Sequence, residues 1–384
     1  MCEPSESIPS GPADEGRLLL SAALIVRNEE RCLGRCLASI ADIVDEIVVV
    51  DTGSDDRSVD IAREHGARLL HHRWSGDFSE ARNVALDAAR GTWILYIDAD
   101  EFLAPTTRDH VVASLSDPDR HVAYRIRLRS RPQFSPYLEY RLWRNRPDIR
   151  FKGVIHESVV HSIHAVADGE GLGIGVADLL LEHDGYEGDQ THKHARNLPL
   201  LLTQVRNDPD RPYLWDHIGR IHQDLGDRAK ARESWQHGID VIRRNGVREP
   251  ADCLVFFDTM FANFCDGIAD TDLVTEACGF FPDNALVLWG AVLDSVVREA
   301  HLETIELVTR FLSIPPEVTA FFAVAMNERV AAEWAPNLRG MAYFKVGNWD
   351  AAAADFDSAF RANPEEGEYR VKRDLAKARA RAAR

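Results

Sequence analysis

Four short strand-like segments decide what this chain can fold into: Leu20–Val26, Glu46–Val50, Ala67–His71 and Trp93–Ile97, the first of them a continuous apolar run. Runs of this kind suit strands buried on both faces. The segments between them have helical spacing. Leu33, Cys36, Leu37 and Ile40 mark one helix, with Asn28 as its expected cap. Ser54 or Asp55 is expected to cap a second that runs through Ile61, and Ser79 a third over Ser79–Arg90. Gly66 and Gly91 stand where the second and third should stop. Strand and helix alternating at these lengths predict a mostly parallel, doubly wound sheet.

The fourth run ends in Asp98-Ala-Asp100-Glu101. Aspartate is depleted in strands and is rarely buried without a partner. At the carboxyl end of a parallel strand the two aspartates would face the crevice where α/β sheets bind ligands. Hard oxygen donors there suit Mg²⁺ or Mn²⁺ carrying a phosphate. A helix cap or a turn uses aspartate equally well, and these residues alone do not separate the two readings.

Further motifs bear on the choice. Asp51 closes the second strand, where it can accept from a base N–H or a ribose hydroxyl. Gly76–Asn83 opens the helix before the Asp98/Asp100 strand, and Arg82 and Asn83 lie one turn in, able to reach back. The block Arg141–Asn145 is followed by Phe151–Glu157, in which His156 and Glu157 are expected to end a short strand. A carboxylate beside an imidazole can serve as general base for a hydroxyl or thiol. His183 closes another apolar run, followed by Asp184, Gly185 and Tyr186, and could give a nitrogen to the same metal. Each motif also has a plain structural reading as a polar strand end, cap or edge histidine. Arg125, Arg127 and Arg129 alternate with apolar residues over Val122–Ser130. A solvated face is the expected reading there, and a cationic wall near an anionic ligand the alternative.

The bulk properties narrow the class. A chain of 384 residues, 45% hydrophobic and 28% charged, suggests a soluble protein of two or three domains. The formal net charge of -17 argues against nucleic acid or an anionic membrane as the main partner. The six cysteines contain no C-x-x-C pair, so neither a disulfide framework nor a zinc site is expected. Leu18–Val26 is too short to span a bilayer, and no basic segment precedes it. The expectation is a cytoplasmic protein with a disordered tail over residues 1–16.

Beyond about residue 190 the periodicity becomes helical and an internal repeat emerges. Gly219, Gly226, Ala231 and Trp235 recur at the same offsets as Gly340, Gly347, Ala352 and Phe356. Small residues would let antiparallel helices approach closely, with the aromatic filling the gap between pairs. The pattern resembles tetratricopeptide repeats. A further pair is expected around Ala285–Phe311, among degenerate repeats over 250–335. The expected boundaries are 17–190 for the sheet domain and 191–384 for the repeat domain.

Taken together, Arg27–Glu30, Asp51–Asp55, Asp77–Asn83 and Asp98–Glu101 resemble family 2 glycosyltransferases of the GT-A fold. The likeness is to the branch of lipooligosaccharide β-glucosyltransferases and bacteriocin S-glycosyltransferases. Arg141–Asn145, His156-Glu157 and His183–Tyr186 fit it too. The resemblance implies inverting transfer of a hexose from a nucleotide sugar, UDP-linked, with Mn²⁺ or Mg²⁺. It implies that Asp51 holds the uracil, supported by Arg82 and lined by Arg27 and Glu29. Asp98 would contact the ribose or the metal's water shell, Asp100 the metal itself, and His183 would be the third protein contact. Glu157 is the first candidate base, with Glu101 and Asp184 behind it. The acceptor would be a peptide, protein or glycan, and the repeats could hold it or a second copy of the chain. A sugar nucleotidyltransferase would need a Gly-rich loop after the first strand, yet no glycine follows Val26 until Gly34. The competing class is an inactive GT-A adaptor.

Overall fold

The computed structural model describes residues 19–115, 117, 119–183, 191–315 and 325–384. The expected tail over 1–16 and the candidate base Asp184 lie outside the described residues.

Eight strands form one mixed sheet: β1 (Leu20–Val26), β2 (Glu46–Asp51), β3 (Arg68–His71), β4 (Trp93–Tyr96), β5 (Glu101–Leu103), β6 (His121–Arg129), β7 (Tyr137–Arg144) and β8 (Gly173–His183), in the order β3-β2-β1-β4-β7-β6-β8-β5. The half from β3 to β4 is wholly parallel. Beyond it, β7 runs antiparallel to β4 and β6, β8 runs parallel to β6, and β5 antiparallel to β8. The carboxyl ends of β1, β2, β4 and β8 therefore share one edge. The doubly wound expectation holds, with the antiparallel β7 joining the two halves.

Apolar clusters cover both faces of this sheet. On one face α1 (Leu33–Ile40) packs Leu33, Leu37 and Ile40 against Val49 and Leu95. On the other, α3 (Phe78–Ala88) and α5 (Val160–Glu170) bring Leu86 and Ile163 onto Val48, Val50 and Ile94. The remaining sheet-side helices are α2 (Ser58–Glu64) and α4 (Arg108–Ser114).

The expected caps are corrected. Asn28 adopts a left-handed φ of 58° and accepts from the Asp55 N–H, tying the β1 end to the loop after β2. Helix α1 starts later, at Leu33, without a side-chain cap. Helix α2 starts at Ser58, whose N–H is met by Asp56 rather than Ser54 or Asp55. Asp77, not Ser79, caps α3, accepting from the Glu80 N–H at 3.1 Å. In each case the chain offers several short polar side chains in a row, and the loop's path selects among them. His156 and Glu157 do not end a strand; His156 sits in a turn with φ of 49°.

After β8 the chain is helical. The helices are α6 (Thr191–Asn207), α7 (Pro212–Asp224), α8 (Arg228–Asn245), α9 (Cys253–Cys265), α10 (Thr271–Phe280), α11 (Ala285–Val297) and α12 (His301–Leu312), then Ala335–Lys345, Trp349–Ala362 and Gly367–Ala382. The repeat signal has the physical basis anticipated for it. A Cβ at Gly219 would land on the Trp235 indole, and one at Gly340 would lie 2.9 Å from the Phe356 ring. Gly226 and Gly347 take φ of 80° and 81° in the turns between the paired helices. The expected pair around Ala285–Phe311 is α11 and α12. Among the described residues, no helix is long and apolar enough to cross a membrane.

Candidate active site at the carboxyl edge of the sheet

Asp51 is buried at the end of β2. Its carboxylate accepts from the N–H groups of Gly53 (3.2 Å) and Ser54 (3.0 Å) and lies 3.3 Å from His71 Nδ1. Burial would raise its pKa, but the bonds from Ser54, Gly53 and His71 outweigh it and hold the carboxyl below its usual range. Gly53 takes φ of 108°, so the turn that delivers these donors suits glycine there.

Two strands away, Asp98 is surrounded by donors. Arg82 Nη1 donates to Oδ1 at 2.8 Å, the Tyr96 hydroxyl reaches both oxygens at 3.1 Å, and Arg141 Nη1 lies 3.5 Å from Oδ2. Burial again pushes this carboxyl up, and Arg82 and Arg141 override it to keep it charged. Arg82 also donates from Nε to Glu157, so one guanidinium joins Asp98 to the candidate base. Glu101 is buried and receives both Nη1 and Nη2 of Arg141, at 2.9 and 2.8 Å. It also accepts the Asp98 N–H at 2.9 Å, which fixes the turn between the two aspartates. Glu101 is thus engaged as a clamp on that turn.

Asp100 behaves differently. Its Oδ2 lies 3.1 Å from His183 Nε2, and the register that pairs Glu101 with His183 across β5 and β8 sets this approach. The three-residue metal set does not assemble: no group of three or more His, Cys, Asp or Glu side chains is gathered as for a metal among the described residues. The reason is that Asp98 turns towards two arginines and a tyrosine. One carboxylate and one imidazole remain, a donor set that fits a hard divalent ion keeping other positions for phosphate oxygens and water.

Glu29 follows β1 and is part-buried; burial and the Asp100 charge push its carboxyl up to about 7. Arg27, also beyond β1, is exposed. Asn83 does not reach the nucleotide side. Its amide pairs with the Phe151 backbone in both directions, at 2.9 and 3.0 Å, and holds the loop that carries Glu157. The arginines of β6 are not a wall facing this edge: Arg127 pairs with Asp178, and Arg129 Nη1 lies 3.7 Å from Glu182.

Several participants escaped the sequence reading. Tyr96 lies beneath the Arg82 and Arg141 guanidinium groups, each 4.6 Å from its ring centroid. Glu139 sits two residues before Arg141 on β7, and burial raises its carboxyl. The alternation Tyr137-x-Glu139-x-Arg141 was the available signal, since period two puts all three on one face. The helical region also reaches in. His156 stacks on His217 of α7 with ring centroids 3.7 Å apart, and Arg211 Nη1 donates to the His156 carbonyl at 3.1 Å. A separate cavity of about 840 Å³ lies between β6–β8 and α11–α12, lined by Leu138, Val176, Phe311 and Met326, and none of the candidate site residues lines it.

A mixed sheet with carboxylates and a histidine along its carboxyl edge, followed by tetratricopeptide-like helices, has the make-up of a glycosyltransferase-like domain joined to a helical region. Residues 21–166 match the family described as glycosyl transferase family 2. A TPR repeat-containing protein of Synechococcus elongatus is 38% identical over 238 residues, covering 60% of this chain and 58% of that protein. The SPbeta prophage-derived glycosyltransferase SunS of Bacillus subtilis is 25% identical over 272 residues, covering 66% of this chain and 61% of SunS. The chain thus spans about three-fifths of the length of these relatives. Among solved structures, glucosyl-3-phosphoglycerate synthase from Mycobacterium tuberculosis aligns with a TM-score of 0.37 at 19% identity, over 50% of this chain and 80% of that one.

Proposed function

We propose that this protein transfers a hexose from a UDP-linked sugar to a hydroxyl or thiol of a peptide, protein or glycan, with inversion and with a divalent metal. The observation that carries the reading is the Asp100–His183 pair at 3.1 Å, set on the same sheet edge as Asp51. Asp51, held ionised by its turn, accepts from the base. Asp100 and His183 hold Mn²⁺ or Mg²⁺, which when bound supplies charge stabilisation to the departing nucleoside diphosphate. Asp98, locked by Arg82, Arg141 and Tyr96, positions the ribose side and the turn.

The acceptor proton goes to Glu157. Arg82 donates to it and to Asp98, so one guanidinium fixes the base relative to the ribose-side carboxylate. The neighbourhood of β7 and α7, with Tyr137, Glu139 and Tyr213, forms the acceptor side. A surface built from helical repeats can hold an extended peptide, the acceptor class that this arrangement favours.

The test is nucleoside diphosphate release from UDP-sugars in the presence of Mn²⁺. Wild type should release UDP and Asp100→Ala should lose release by a hundredfold or more. Wild type that neither binds nor hydrolyses any nucleotide sugar would refute the reading in favour of an adaptor.

A further inference from the structure

The cavity of about 840 Å³ beside β8 lies where the sheet half of the chain meets the helical half. Its floor is the sheet. Arg127 and Leu138 are cross-strand partners on β6 and β7, and Val176 of β8 completes that surface. Its roof is helical: Phe311 and Leu312 at the end of α12, then Met326, Ala331 and Ala332. Clefts that hold small ligands measure about 300–1,000 Å³ and favour the junctions between domains. This one is formed without a ligand. The Ser135 N–H donates to the Met326 carbonyl at 2.8 Å, the Met326 N–H to Ser135 Oγ at 3.0 Å, and the Glu328 N–H to the Gln133 carbonyl at 2.8 Å. These bonds stitch the turn between β6 and β7 to the roof, so floor and roof keep their separation.

The lining decides what fits. Most of it is aliphatic or aromatic, and Val176 on the floor is 53% exposed. Apolar surface of this kind gains free energy when a hydrocarbon takes the place of water against it. Among the described residues its charged groups are Arg127, Asp178 and Glu328. Arg127 already donates to Asp178, and Glu328 adds a second carboxylate, so an anionic head would meet net negative charge. Ser135 and Asn327 offer neutral hydrogen-bonding groups on the same lining.

We propose that this cavity binds the hydrocarbon chain of a neutral lipid, an alkyl or acyl chain ending in a hydroxyl or an ester. The site is separate from the sheet edge that carries Asp51 and Asp100, and the inference stands independently of the glycosyl-transfer reading. Floor and roof belong to different halves of the chain, so a bound hydrocarbon clamps the helices to the sheet.

Fluorescence titration of the full chain with N-phenyl-1-naphthylamine, an uncharged apolar probe, tests it, with dodecanol and dodecanoate as competitors. Wild type should bind the probe, and dodecanol should displace it and raise the melting temperature. Dodecanoate should compete less well by about tenfold or more. Val176→Lys puts an ammonium on the floor, and Ala331→Trp fills space under the roof. Both positions are exposed, so neither change disturbs a packed core, and melting without ligand should stay as in wild type. Each should weaken probe binding by about tenfold or more. Leu302→Lys, exposed and outside the lining, should bind the probe as wild type does. Wild type that fails to bind the probe would overturn the inference, and so would undiminished binding in both lining variants. Dodecanoate binding as tightly as dodecanol would overturn the neutral head.

Discussion

Arg141 meets Glu101 through two parallel hydrogen bonds of 2.8 and 2.9 Å, both partners buried beneath the Asp98–Asp100 turn. A buried carboxylate stripped of its guanidinium is costly, whereas an apolar pair of similar size can be neutral. Arg141→Leu should therefore lower unfolding free energy by about 3–5 kcal/mol in urea titrations. The double variant Arg141→Leu/Glu101→Leu should recover most of that stability but little activity, because Asp98 has lost one of its cations and its N–H has lost its acceptor. Equal stability of the single and double variants would contradict the clamp.

The base assignment separates two nearby carboxylates. Glu157→Gln should lower kcat by roughly 10²–10⁴-fold with KM for the donor little changed, the range expected for losing a general base. Glu139→Gln should cost less than tenfold. The reverse ranking, measured by steady-state kinetics at saturating donor, would move the role to Glu139.

His156 links pH to stability. Burial, with Arg211 beside it, lowers its pKa from an ordinary 6.5 to about 4. The unfolded chain thus binds a proton more readily than the folded one between those values. The stability is fully present above about pH 6.5 and is lost as pH falls towards 4. Burial, with His156 stacked upon it, also pushes His217 well below its ordinary range, which steepens the loss. Urea midpoints measured from pH 7.5 to 4.5 should fall, and His156→Asn should flatten the slope.

The repeat glycines yield a packing prediction. Gly219→Ala places a methyl on the Trp235 ring and should destabilise by about 1–3 kcal/mol through overpacking. Gly279→Ala, in an open position on α10, should be neutral or stabilising. Thermal melting distinguishes the two.

The strands and the offset-matched glycines were readable because burial on both faces and close helix approach leave strong periodic marks. Glu46–Val50, expected as a strand, is β2 with one residue added, Asp51 itself. The caps were not readable, since Asn28, Ser54, Asp55 and Asp77 are all competent and the choice depends on loops folding against one another. The site was legible as a set of residue types, but not as pairings. Nothing in Asp-Ala-Asp says that the first aspartate turns to Arg82 and Arg141 while the second meets His183, 83 positions further on. Those choices are made by sheet register, and β8 finds β5 only in the folded chain.

The loop bearing His156 and Glu157 is fastened from the helical side at three places: the His217 stack, the Arg211 bond, and Gln204 Oε1, which accepts the Val154 N–H at 3.1 Å. The two halves are therefore not interchangeable cassettes. Grafting the sheet half onto another repeat array would leave Glu157 on an untethered segment, and an acceptor that bends the helices would pull directly on the proposed base.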